Sequence, residues 1–142
     1  MAHHVPLRFD PRKFAALASR VDDLLDDRKG CPWDKAQSAA KLAKMLVGEA
    51  EELLEAIRRP EDAAEEAGDC FMLLFLILAK LQDRRGLSPN RALDSICEKI
   101  VRRHTWIYGE DKALNSGQVM KLWRRNKAIE RREKAKKGTK AQ

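Results

Sequence analysis

Two pairs of carboxylates, Glu49 with Glu52 and Glu66 with Asp69, stand at mirrored distances from Pro60 and constrain the fold more than any other feature of the chain. Within each pair the residues are three apart, which sets both side chains on one face of a helix. The stretch 35–59 carries helical periodicity, and Pro60 suits the opening of a new helix. The spacing therefore predicts an antiparallel hairpin of helices over 35–59 and 61–85, the second stopped by Gly86. Glu52 lies about 7 residues before the turn and Glu66 about 6 after it, with Glu49 and Asp69 about 10 away on either side. At a rise of ~1.5 Å per residue the two pairs face each other at matching heights.

Four carboxylates in one place repel one another, so such a site takes up either protons or cations. Ligands that are all oxygen select hard ions, Mg²⁺ or Mn²⁺ ahead of zinc or copper. A di-iron bundle would present Glu-x-x-His pairs, whereas the third-residue partners here are Glu52 and Asp69. The competing reading is a solvated acidic face, since Glu51, Glu55, Glu61, Asp62 and Glu65 show that acids abound in these helices. Two mirrored pairs, the second directly before the apolar run Cys70 to Ala79, where an unpaired charge is costly, favour a metal.

The rest of the chain reads as helices too, giving an all-α bundle. A first helix is expected from Asp10, with Pro11 behind it, to Lys29 before Gly30, with an apolar stripe of Phe14, Leu17, Val21, Leu24 and Leu25. Cys31 to Asp34 reads as a connector whose Asp34 caps the hairpin's first helix. A fourth helix over 88–107 places Leu93, Ile96, Cys97, Ile100 and Val101 on its buried side, and a last segment covers 117–135. The run from Cys70 to Ala79 is apolar on every face, so its helix should lie at the centre of a bundle or at a subunit interface. A homodimer is expected on that ground, with a tetramer as the larger alternative.

The 142 residues suffice for one domain with a real core, expected over 1–130. Cys31, Cys70 and Cys97 are widely spaced and suggest no disulfide framework, and the apolar run is half a membrane span, so a soluble cytoplasmic protein is expected. Residues 121–142 hold ten Lys or Arg against Glu130 and Glu133, a local +8, leaving nineteen basic against twenty acidic residues before them. Residues 131–142 accordingly read as a basic, disordered tail, with attachment to nucleic acid through that tail as the functional alternative.

The chain resembles MazG-type nucleoside triphosphate pyrophosphohydrolases, in order, over roughly residues 24 to 127. Cys31-Pro32-Trp33-Asp34-Lys35-Ala36-Gln37-Ser38 is similar to that family's CPWD-x-x-Q-T segment. Gly48-Glu49-Ala50-Glu51-Glu52 resembles its EExxE motif, and Glu66-Ala67-Gly68-Asp69 the ExxD partner. Lys99 to His104, followed by Ile107-Tyr108-Gly109-Glu110, resembles KLxRRH...VFGD, and Trp123 with Lys127 the late Trp-x-x-x-Lys.

The resemblance implies a helical dimer that splits NTPs or dNTPs between the α and β phosphates with Mg²⁺, Mn²⁺ being a possible substitute, and so clears unwanted nucleotides. Glu49, Glu52, Glu66 and Asp69 are then the catalytic metal ligands. Lys99 and Arg103, one turn apart, would grip phosphates, with Arg102 and Lys35 as further candidates, while Trp33 and Trp123 would meet the base and Lys127 the substrate. Two departures stand out: Gly48 replaces the first Glu of EExxE, and Thr105-Trp106 replaces the usual Pro-His. The alternative reading is a non-catalytic relative, a nucleotide sensor or nucleic-acid-associated protein, in which Gly48 marks lost chemistry.

Overall fold

The computed structural model describes residues 6–139, with side chains to 136. Among the described residues all regular structure is helical: α1 (Pro11–Leu25), α2 (Pro32–Ala36), α3 (Ala39–Ala56), α4 (Pro60–Arg85), α5 (Pro89–Arg103), α6 (Thr105–Tyr108) and α7 (Ser116–Thr139). The chain divides into two compact units, Met1–Pro89 and Asn90–Gln142. No helix among the described residues is long and apolar enough to cross a membrane.

The first unit is built on the α3–α4 hairpin. Pro60 opens α4, whose last turn carries Arg84 and Arg85 and closes on Gly86 in the left-handed conformation at φ 61°. Gly86 donates its N–H back to the Gln82 carbonyl at 3.0 Å, satisfying one of the acceptors a helix end leaves open. Val21 of α1, Leu42 of α3, and Leu73 and Leu76 of α4 form the buried core, flanked by Leu17, Leu25, Met45, Met72 and Phe75. Phe14 packs edge-on to Phe9 and Phe71 and stacks on Phe75, fastening the start of α1 to α4.

The first helix is shorter than the sequence suggests. It ends at Leu25 because the Asp26 side chain accepts from the N–H groups of Arg28 and Lys29, at 3.0 and 2.8 Å, and starts a turn instead. Gly30 sits inside that turn, where a Cβ would fall 2.4 Å from the Asp26 oxygen and 2.6 Å from that of Leu24. The segment from Cys31 is likewise not a connector: Pro32–Ala36 forms a helical turn of its own. Asp34 is the third residue of that turn, and Ser38 is the N-cap of α3, accepting from Lys41 N–H at 3.1 Å.

In the second unit α7 starts with reciprocal bonds, Gln118 N–H to Asn115 Oδ1 at 3.0 Å and Leu114 N–H to Gln118 Oε1 at 2.7 Å. The helix then runs on to Thr139, so the tail expected to be disordered from 131 is helical as far as it is described, and 140–142 lie outside the described residues. Lys and Arg are good helix formers, and Glu130 pairs with Lys134 one turn on at 3.0 Å, which supports continuation. The α5 stripe does not become a core: Leu93, Ile96, Ile100 and Val101 are all exposed. Polar contacts join these helices in its place, Asn126 Nδ2 donating to the Arg103 carbonyl and to Thr105 Oγ1, and Arg125 pairing with Asp111. The His104 ring caps α5, its Nδ1 2.7 Å from the Ile100 carbonyl.

Candidate functional site

Glu49 and Glu52 share a face of α3, Glu66 and Asp69 a face of α4, and the Pro60 turn brings the two faces together. One carboxylate oxygen from each of Glu49, Glu52 and Glu66 lies within 4.8 Å of the other two. Asp69 stays outside this set, yet its charge is felt by both Glu49 and Glu66.

Partial burial is the largest influence on the Glu49 and Glu66 carboxyls and holds both above the ordinary carboxylate range. The charges of Glu52 and Asp69 push the same way, and at Glu66 so do Glu49 and Glu65. Among the described residues, the ion pairs of the first unit, Arg12–Asp10, Arg20–Asp23, Lys29–Asp23 and Arg59–Asp62, do not involve these carboxylates. Cys70, next to Asp69, is held above its usual thiol value by burial and by Glu49, Asp69 and Glu66. Three carboxylates this close could hold a metal ion, and donors that are all oxygen suit a hard divalent one.

Gly48, the residue before Glu49, has open space around it: a Cβ there meets nothing within 4 Å. Gly68, between the two α4 carboxylates, is equally open. Neither glycine is required by packing against the described residues.

The remaining sequence candidates divide between the two units. In the first, Trp33 is half exposed with the Lys41 ammonium 5.8 Å from its ring centre. Lys35 directs its ammonium to the carbonyls of Asp26 and Asp27, at 3.2 and 3.1 Å, beyond the end of α1. Its own carbonyl accepts from Lys80 Nζ at 2.9 Å. Buried Gln37 donates to the Trp33 carbonyl at 2.7 Å, closing the CPWD turn.

In the second unit Arg103 and Lys127 converge on the Trp123 ring, the guanidinium carbon 5.7 Å and the ammonium 4.7 Å from its centre. Glu130 organises the cations. It is 8% exposed, accepts from Arg103 Nε at 2.9 Å and Lys134 Nζ at 3.0 Å, and meets the Arg102 guanidinium at 3.4 Å. Hydrogen bonds from Arg103 and then Lys134 lower its carboxyl to about 2. Lys99 stands one turn before Arg103 on α5.

Sequence reading missed Glu130 and Asn126, although a signal for them existed. Val119, Leu122, Trp123, Asn126, Lys127 and Glu130 follow the 3, 4, 7, 8, 11 spacing of one helix face, and all six are partly or fully buried. A charge on an inward face requires a partner, and the Arg102-Arg103 pair supplies it.

Residues 37–108 match the family model of the MazG nucleotide pyrophosphohydrolase domain. The chain is 33% identical over 121 residues to a nucleoside triphosphate pyrophosphohydrolase of Escherichia coli (strain K12), an alignment covering 84% of this chain and 46% of that protein. It is 30% identical over 123 residues to a nucleoside triphosphate pyrophosphohydrolase/pyrophosphatase MazG of Thermotoga maritima, covering 85% of this chain and 46% of the relative. The chain thus spans less than half the length of these curated relatives. Among solved structures, a MazG-related protein from Thermotoga maritima superposes with a TM-score of 0.67 at 28% identity, over 80% of this chain and 98% of that one.

Proposed function

Because the chain belongs to the MazG nucleotide pyrophosphohydrolase family, we propose that it hydrolyses nucleoside triphosphates between the α and β phosphates, releasing a monophosphate and pyrophosphate. The observation that carries this reading is the convergence of the Glu49, Glu52 and Glu66 oxygens within 4.8 Å, where Glu52 and Asp69 add like charge to Glu49 and Glu66. In this reading these three residues, with Asp69 one turn along from Glu66, hold Mg²⁺ or Mn²⁺. When bound, such an ion neutralises charge on phosphate oxygens and acidifies coordinated water.

The chain's own residues then divide the work. A carboxylate of this cluster would orient the attacking water and receive its proton. Lys99 and Arg103 would answer the polyphosphate charge, with Arg102 and Lys35 as further candidates. Trp123 and Trp33 offer flat faces to a base, with Lys127 beside the former. A wide base range is expected, since stacking and phosphate contacts do not discriminate between base edges. The cellular role would be removal of unwanted nucleotides from the pool.

A second copy of the chain belongs to the same reading. Val47 and Leu54 on α3, Ile57 directly after it and the α5 stripe remain exposed, Leu54 to 70%, and a homodimer would cover apolar surface that a lone chain leaves in water. Sedimentation at micromolar concentration should give a species of twice the chain mass, and a monomer at all concentrations would remove this part of the proposal.

Phosphorus NMR of the products from a panel of NTPs and dNTPs with Mg²⁺ tests the chemistry. Monophosphate and pyrophosphate in equal amounts are expected. Diphosphate with inorganic phosphate would place the cleavage elsewhere, and an absence of turnover with Mg²⁺ and Mn²⁺ would favour the non-catalytic alternative.

A further inference from the structure

We propose that Glu130 is a positioning residue for Arg103: it fastens the guanidinium by its Nε edge, so that the terminal N–H groups are presented in a fixed orientation to an oxyanion of a polyphosphate. This rests on the reading of Arg103 as a phosphate-binding residue.

The geometry separates the two ends of the arginine. Glu130 Oε2 accepts from Nε at 2.9 Å, and a guanidinium has four further N–H donors on its fork. Among the described residues no protein acceptor occupies that fork. One flank of Arg103 is fixed as well, with the Trp123 ring 5.7 Å from the guanidinium carbon. The anchor is rigid on its own side. Glu130 is buried on α7, Lys134 holds its other oxygen at 3.0 Å, and Asn126 one turn earlier grips the Arg103 carbonyl at 3.1 Å. Backbone and side chain of Arg103 are therefore both tied to α7, one turn apart.

Electrostatics alone makes the contrary forecast. A carboxylate among Arg102, Arg103 and Lys134 reduces the local positive potential, so removing it should tighten the binding of an anion. Positioning forecasts weaker binding, because an untethered arginine must be ordered when the anion arrives. The sign of the effect separates the two.

The test is calorimetric affinity for inorganic tripolyphosphate in the presence of Mg²⁺, measured on the native chain, Glu130→Gln, Glu130→Ala, Arg103→Ala and the double variant Arg103→Ala/Glu130→Ala. Immobilising a side chain of this kind costs ~0.5–1.5 kcal/mol, so Glu130→Ala should weaken binding up to about tenfold. Within the Arg103→Ala background the same change should alter affinity by less than about twofold, because no guanidinium is left to hold. Glu130→Gln keeps an acceptor oxygen at the same place and should recover most of the loss, which also covers the case in which the alanine variant does not fold. Tighter binding in Glu130→Ala, an equal loss in both backgrounds, no recovery by glutamine, or no binding by the native chain would each overturn the proposal. Pyrophosphate release is followed in the same samples. A native chain that binds tripolyphosphate yet releases no pyrophosphate from any NTP would refute the proposed hydrolysis, while the affinities still decide the role of Glu130.

Discussion

Replacing Gly48 by alanine should stabilise the protein, and the sign of the change tests whether the chain or the site requires this glycine. Gly48 lies in the tenth position of the 18-residue helix α3, and its φ is not positive. A glycine in a helix interior costs ~0.5–1 kcal/mol relative to alanine, mainly through the freedom it has in the unfolded chain. The structure supplies no compensation, because a Cβ at this position meets nothing within 4 Å. The whole propensity difference should therefore appear as a gain of about 0.5–1 kcal/mol. With an m-value of about 2 kcal/mol/M, the urea midpoint followed by circular dichroism should rise by roughly 0.3–0.5 M. Gly86→Ala is the internal control. Its Cβ would also meet nothing within 4 Å, but at φ 61° an L side chain is strained, so this variant should lose about 1 kcal/mol. A Gly48→Ala variant that is destabilised would refute the reasoning, and would mean that another chain approaches the α3 backbone at that point.

Other consequences are measurable in the same preparations. Leu42, fully buried at 0% exposure, should cost ~2–5 kcal/mol when cut to alanine, read as an earlier urea transition of the first unit. Millimolar Mg²⁺ should raise the melting temperature of the native chain by relieving the Glu49, Glu52 and Glu66 repulsion, and Glu52→Gln should lose most of that rise, as differential scanning fluorimetry would report. Because Arg103 and Lys134 lower the Glu130 carboxyl to about 2, its contribution is complete above the ordinary carboxylate range and is lost as pH falls from about 5 towards 2. The stability gap between the native chain and Glu130→Gln should accordingly be largest near neutrality and close over that acid interval, and a gap independent of pH would refute the assignment.

The hairpin was legible because its determinants are local. Pro60 and Gly86 bracket α4, and the mirrored acids need only helical rise and a tight turn to meet, as Glu49, Glu52 and Glu66 do. What escaped were ends decided by one side chain competing for backbone. Asp26 stops α1 by capping Arg28 and Lys29, and Ser38 restarts the chain as α3, both of which look in sequence like ordinary polar residues in helical stretches. Glu130 escaped for a different reason. Counted with the basic residues of α7 it only reduces a net charge, whereas its place on the inward face, three and seven residues after Lys127 and Trp123, makes it the acceptor that fixes Arg103. Periodicity of apolar residues finds cores, and the second unit is joined in good part by polar contacts.

The most direct test of the account is the rate of pyrophosphate release from NTPs as a function of Mg²⁺ concentration in the native chain, Glu52→Gln and Asp69→Asn. Release should require the ion, saturate with it, and fall by about two orders of magnitude or more in both variants while the fold persists. Release that proceeds without a divalent ion, or that survives in Glu52→Gln at the native rate, would contradict the claim that the carboxylates of the α3–α4 hairpin are where the chemistry takes place.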